Sequence, residues 1–133
     1  HVLGLKNKQY IRPTYLSIVF SDPNIAEVGM TYQKIKDQKI PFITGEASFE
    51  DQGRAKLMKK NVGKIHINGN QKNGKLLGAT LFGPQIEHLA HSIAWSIEQN
   101  LAVDDMLKFP FYHPTLEEAL KTALKNLKSK LKK

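Results

Sequence analysis

The 133-residue sequence contains no cysteine. That removes disulfide frameworks, thiolate nucleophiles and Cys-ligated zinc together. It does not set the compartment, because secreted proteins also do without Cys. No apolar run approaches the ~18–20 residues of a membrane span, and His1 to Pro13 lacks the continuous apolar core of a signal peptide. No G-x-G-x-x-G run occurs, so the chain carries no recognisable dinucleotide fold of its own. The nearest approach to a phosphate-cradling loop, Gly69 to Lys75, continues with Leu76 rather than Ser or Thr, and into a strand rather than a helix. It reads as the turn of a hairpin. An initiator Met is also missing, so the chain is expected to be a piece of a longer polypeptide. Its length predicts one domain over 1–133, with a lead-in over 1–13 and a basic helix end over 125–133.

Charge is present but unevenly placed. Lys121, Lys125, Lys128, Lys130, Lys132 and Lys133 supply six of the net +8, with no acid among them. Such a tail suits a nucleic acid or an anionic surface. It equally suits a solvated helix C-terminus, whose dipole end is negative, and nucleic acid and membrane are not expected partners.

Hydrophobic periodicity divides the chain in two. Leu16, Ile18 and Phe20 mark a first strand, which Asp22-Pro23-Asn24 breaks. Thr31 caps a short helix through Gln38. Strands are expected from Pro41 to Phe49, Val62 to Ile67 and Lys75 to Phe82, with Gly53 to Met58 irregular or a single helical turn. The last two strands flank a Gly/Asn-rich loop and pair as an antiparallel hairpin. After Gly83-Pro84 the period becomes helical: Ile86, Leu89, Ala90, Ile93, Ala94, Ile97 and Leu101 form one stripe. Val103 to Lys108 suits a short helix. Leu116, Ala119, Leu120, Ala123, Leu124, Leu127 and Leu131 form a second stripe. Strands first and helices last predict an α+β fold, an antiparallel sheet packed with helices.

Three groups of residues invite a chemical reading. His88 and His91 share a helix face beside Glu87, but two His fall short of the three protein ligands that a catalytic zinc takes, so surface or interface histidines are expected and no metal. His66, alternating with Lys64, is expected to face solvent. His113 lies in an extended segment between Pro110 and Pro114. Thr115 and Glu118 have the spacing of a capping box, in which the Glu reaches back to the cap amide. The other reading puts Glu118 on the His113 imidazole, where it sets the tautomer, favours the charged form and leaves the second nitrogen for acid–base work. No Ser or Cys nucleophile accompanies the pair, so such a base would serve a group supplied from elsewhere.

Several motifs, in order, resemble one family. Phe20-Ser21-Asp22-Pro23-Asn24-Ile25-Ala26-Glu27-Val28-Gly29 looks like a strand running into a D-P-x-I-A-x-V-G turn. Gly53-Arg54-Ala55 looks like a central G-R-A step. Lys75-Leu76-Leu77-Gly78-Ala79 with Gly83-Pro84 resembles K-x-L-G-A…G-P, and His113-Pro114-Thr115-Leu116-Glu117-Glu118 resembles H-P-T-x-x-E. From about Pro13 to Ala123 the chain is similar to the C-terminal dimerisation (interface) domain of the pyridine nucleotide–disulfide oxidoreductases. Leu116 after His-Pro-Thr is more like the dihydrolipoamide dehydrogenase branch than the glutathione reductase branch. Glu117 in place of a common Ser, and Phe111-Tyr112 in place of smaller residues, depart from the pattern.

The resemblance carries implications of its own. The full-length protein would hold FAD and NAD(P) in upstream domains of the same chain, with none bound by this fragment alone. It would act as a homodimer in the cytoplasm on a dithiol such as dihydrolipoamide. His113 would serve the partner subunit's active site as acid/base, with Glu118 orienting it. A cis His113–Pro114 bond would place His113 and Pro114 near that subunit's flavin. An X-Pro bond admits this, since cis costs only ~0.5–1 kcal/mol there. The redox disulfide would lie in the FAD domain, which accounts for the absent Cys. Trp95, off the main stripe of its helix, belongs either to the core or to a twofold interface.

Overall fold

The computed structural model describes residues 12–131, so nearly all of the lead-in, and Lys132 and Lys133, lie outside the described residues. Five strands form one sheet: β1 (Leu16–Val19), β2 (Asn24–Gly29), β3 (Phe42–Ser48), β4 (Lys64–Asn70) and β5 (Leu76–Gly83). Their spatial order is β1-β2-β5-β4-β3, and every pairing is antiparallel. Five helices accompany them: α1 (Tyr32–Asp37), α2 (Gly53–Leu57), α3 (Ile86–Glu98), α4 (Val103–Met106) and α5 (Glu117–Leu131). The expected α+β class with helices on an antiparallel sheet is the one observed.

Alternation decides which face is buried. One cross-strand row runs Ile18, Ala26, Leu81, Ile65, Ala47, and the next runs Leu16, Val28, Ala79, Ile67, Gly45. Both rows point at the helices. The next row outward is Ser17, Glu27, Thr80, His66, Glu46, so His66 faces solvent as its alternation with Lys64 predicts. The stripes of α3 and α5 cover the sheet side by side, α3 over β1, β2 and β5, and α5 over β3 and β4. Ile65, Ile67, Leu81, Ile93, Leu124 and Leu127 are fully enclosed between the layers. Each such side chain contributes about 1.5–3 kcal/mol relative to exposure.

Two glycines allow the layers to close. A Cβ at Gly45 would strike the Ala123 carbonyl and the Leu127 Cβ of α5. A Cβ at Gly83 would come within 2.5 Å of the Phe49 ring, which is itself fully buried. Gly83, the last residue of β5, thereby lies against Phe49 just ahead of α3.

One sequence expectation is corrected. Asp22-Pro23-Asn24 ends β1, but the residues after it form a second strand rather than a turn: Asn24–Gly29 pairs with both β1 and β5. Ala26 and Val28 face the core while Ile25 faces out and is 43% exposed. The alternation is therefore real, but an apolar residue on the wet face masks it. Elsewhere Gly53 to Met58 resolves into the five-residue α2, and α3 ends at Glu98, short of Leu101.

Candidate functional site

The segment from Pro110 to Thr115 crosses the molecule without regular structure and delivers His113 to the start of α5. Its anchoring is local and polar. The Thr115 hydroxyl donates to the Tyr112 carbonyl at 2.7 Å. The Thr115 amide donates to Glu118 Oε2 at 3.1 Å, which is the Glu half of a capping box. Gln52, the N-cap of α2, accepts the Ala55 amide at 2.7 Å and donates to the Thr115 carbonyl at 2.6 Å. Gln52 thus ties α2 to the His113 turn. Nothing in the linear spacing of Gln52 and Thr115 announces that link. The His113–Pro114 peptide is cis, as is Asp22–Pro23.

His113 and Glu118 are brought together. The imidazole Nδ1 lies 3.0 Å from each Glu118 carboxylate oxygen. The Thr115 amide first, and then His113, hold the Glu118 carboxyl below its ordinary value. Glu118 is therefore ionised at neutral pH and can only accept, so the Nδ1 proton points at it. The His113 side chain is 79% exposed, against 31% for Glu118. Among the described residues, the ring's Nε2 meets no hydrogen-bond partner. Cap and His–Glu pair, alternatives in the sequence, coexist because one carboxylate reaches both groups.

The other histidines do different work. His91 Nδ1 is 2.7 Å from the Glu87 carbonyl, and His88 Nε2 is 3.7 Å from Glu87 Oε1. The Glu87 carboxylate also accepts from Asn24 Nδ2 at 2.7 Å, fastening the start of β2 to α3. His88 and His91 therefore do not converge on a shared point. Among the described residues, no three His, Asp or Glu side chains form a group able to hold a metal ion.

The lysines of α5 turn largely onto the fold. Lys128 pairs with Asp104, Lys130 donates to the Thr44 carbonyl and Lys121 lies over the Phe111 ring. Trp95 is 65% exposed, which rules out the core position that its sequence allowed. It borders an apolar cavity of about 390 Å³ whose walls include Leu101, Met106, Phe109 and Phe111.

The described residues thus form an antiparallel sheet backed by two helices, with an exposed His–Glu pair at the start of the last helix. Residues 15–124 match the family described as the pyridine nucleotide-disulphide oxidoreductase dimerisation domain. The chain belongs to that family. It is 32% identical over 112 residues to dihydrolipoyl dehydrogenase 3 of Haloarcula marismortui, covering 84% of this chain and 24% of the relative. It is 28% identical over 107 residues to the mitochondrial dihydrolipoyl dehydrogenase of Rattus norvegicus, covering 80% and 21%. The HOCl-induced flavoprotein disulfide reductase RclA of Escherichia coli shares the fold, with a TM-score of 0.81 and 20% identity over 86% of this chain and 26% of that one. The chain thus spans about a quarter of the length of the relatives it matches.

Proposed function

We propose that this chain is the dimerisation domain of an FAD-dependent, NAD(P)-linked disulfide oxidoreductase of the dihydrolipoyl dehydrogenase kind. It lends His113 and Glu118 to the dithiol/disulfide site of a second subunit. The observation that carries this is the 3.0 Å contact of both Glu118 oxygens with Nδ1, beside an imidazole otherwise open to solvent. An oriented imidazole with a free Nε2 is a general base awaiting a substrate.

The chemistry follows from the pair. Nε2 removes the proton of a substrate thiol such as that of dihydrolipoamide. The thiolate attacks one sulfur of a redox disulfide held by another domain: a substrate–enzyme S–S bond forms, the original S–S bond breaks, and the second enzyme sulfur leaves as thiolate. Glu118 stabilises the imidazolium formed in this step. In the opposite direction the imidazolium returns the proton. The thiolate is the nucleophile, so the base sets how much of it is present.

The cofactors belong to other domains of the full-length polypeptide. The all-antiparallel sheet has no parallel strand–turn–helix cradle for a dinucleotide among the described residues. His113 and Pro114 are the residues of this chain assigned to approach a partner subunit's flavin. The cytoplasmic setting is part of the same reading.

Homodimer formation is assigned to the face around Trp95, Phe109 and Tyr112, which are 65%, 47% and 83% exposed and adjoin the His113 segment. Covering them removes apolar area from water, and it sets His113 next to the second copy. The test is the full-length enzyme with His113→Ala and Trp95→Glu. Loss of dithiol turnover in the first and of the dimer by ultracentrifugation in the second is expected. Full turnover in His113→Ala sinks the acid–base role.

A further inference from the structure

Beside the proposed base lies a cleft of about 370 Å³ lined by Arg54 on α2, Gln85 and His88 at the start of α3, and Pro114, Thr115 and Glu117 at the start of α5. That volume is ample for a short polar tail. Among the described residues, the Arg54 guanidinium meets no carboxylate and no hydrogen-bond acceptor, although Lys56, two residues on, is paired with Asp51. A guanidinium cannot shed its charge and presents a planar fork that matches a carboxylate.

We propose that Arg54 recognises a carboxylate on the dithiol substrate handled at His113, with Gln85 and Thr115 as the neutral hydrogen-bonding rim of the cleft. The inference rests on the acid–base reading of His113. Pro114 and Thr115 follow that residue directly and form part of the cleft wall, so a substrate whose thiol meets Nε2 can lay its tail over the cleft. The spacing is held by Gln52, which donates to the Thr115 carbonyl at 2.6 Å and accepts the Ala55 amide at 2.7 Å, locking the turn of Arg54 to the turn of His113. Glu117 in the same cleft offsets part of the positive charge.

Dihydrolipoate and dihydrolipoamide test this cleanly. They share the dithiol and the alkyl tail, and differ only in ending as a carboxylate or a neutral amide. In the full-length enzyme, Arg54→Ala should raise KM for dihydrolipoate about 5- to 10-fold, the scale of one charge-assisted hydrogen bond at an accessible site. KM for dihydrolipoamide should change by less than about twofold, and kcat for both should hold, because an exposed rim charge acts on binding rather than on the proton transfer. Arg54→Lys should restore part of the discrimination, and added salt should erode it for the carboxylate only. Equal effects on both substrates would overturn the role of Arg54 while leaving His113 in place. Failure of the unaltered enzyme to oxidise either dithiol removes the acid–base reading, and this inference with it.

Discussion

The starts of α3 and α5 are built from the same ingredients and end in different chemistry. Each follows a proline, Pro84 or Pro114, and each carries a first-turn glutamate and a nearby histidine. At α3, Glu87 is engaged by Asn24 across the fold, and His88 stands off at 3.7 Å. At α5, Glu118 is engaged by its own turn, through the Thr115 amide, and both its oxygens face His113 at 3.0 Å. The α3 start is packed, with Gly83 against Phe49, and its N-cap residue Gln85 makes no side-chain cap hydrogen bond. The α5 start is pinned by hydrogen bonds. The histidine and glutamate therefore meet closely at α5, where the carboxylate is held within its own turn, and only loosely at α3, where Asn24 takes the other carboxylate oxygen.

The comparison is most sharply tested by removing each histidine. In the full-length enzyme His113→Ala should lower dithiol turnover by roughly 10²–10⁴, the range for losing a general base, and His88→Ala should leave it within about twofold. Similar losses at both sites, measured by steady-state kinetics, would erase the distinction. Packing comes next. Gly83→Ala should destabilise the fold by about 1–3 kcal/mol in urea, because Phe49 has nowhere to retreat, and a neutral result would show that packing does not fix the α3 start. Glu118→Gln keeps an acceptor for the Thr115 amide and removes the negative charge that faces His113 Nδ1. It should leave the urea midpoint close to that of the unaltered protein at neutral pH yet lower kcat by at least about tenfold. A stability loss with normal turnover would reduce Glu118 to a cap.

The smallest effect is in pH. The Glu118 carboxyl is held below its ordinary value in the folded protein, by Thr115 and then by His113. Its stabilisation is therefore complete above the unfolded carboxylate value of about 4.3 and is lost as pH falls through the lower folded value. The difference in stability between the unaltered chain and Glu118→Gln should shrink over that acid window and stay flat above it. Denaturant melts at a series of pH values measure it.

Much of the fold was legible in linear form. The stripes of α3 and α5 follow a helical period because each buries one face, and the β4–β5 hairpin follows from alternation around a Gly/Asn-rich turn. β2 was hidden by Ile25, an apolar side chain on the solvent face behind the Asp22-Pro23-Asn24 break. At the site, the H-P-T-x-x-E spacing marked His113 and Glu118, which lie within one turn of each other and meet through local geometry. Gln52 and the Arg54 cleft were not legible as a site, although Gly53-Arg54-Ala55 was visible as a motif, because their neighbours at Gln85 and Thr115 are distant in the chain.

Periodicity and capping chemistry act over a few residues, so the sequence alone determined the helices, the hairpin and the class of fold, and narrowed Glu118 to a helix cap or a partner of His113. The direction in which each carboxylate is drawn depends on groups that only folding brings near. The tertiary structure alone therefore decided that Glu87 fastens β2 while Glu118 reaches both the Thr115 amide and His113, that Trp95 faces water, and that Arg54, without a side-chain partner among the described residues, lies in the cleft beside the His113 turn.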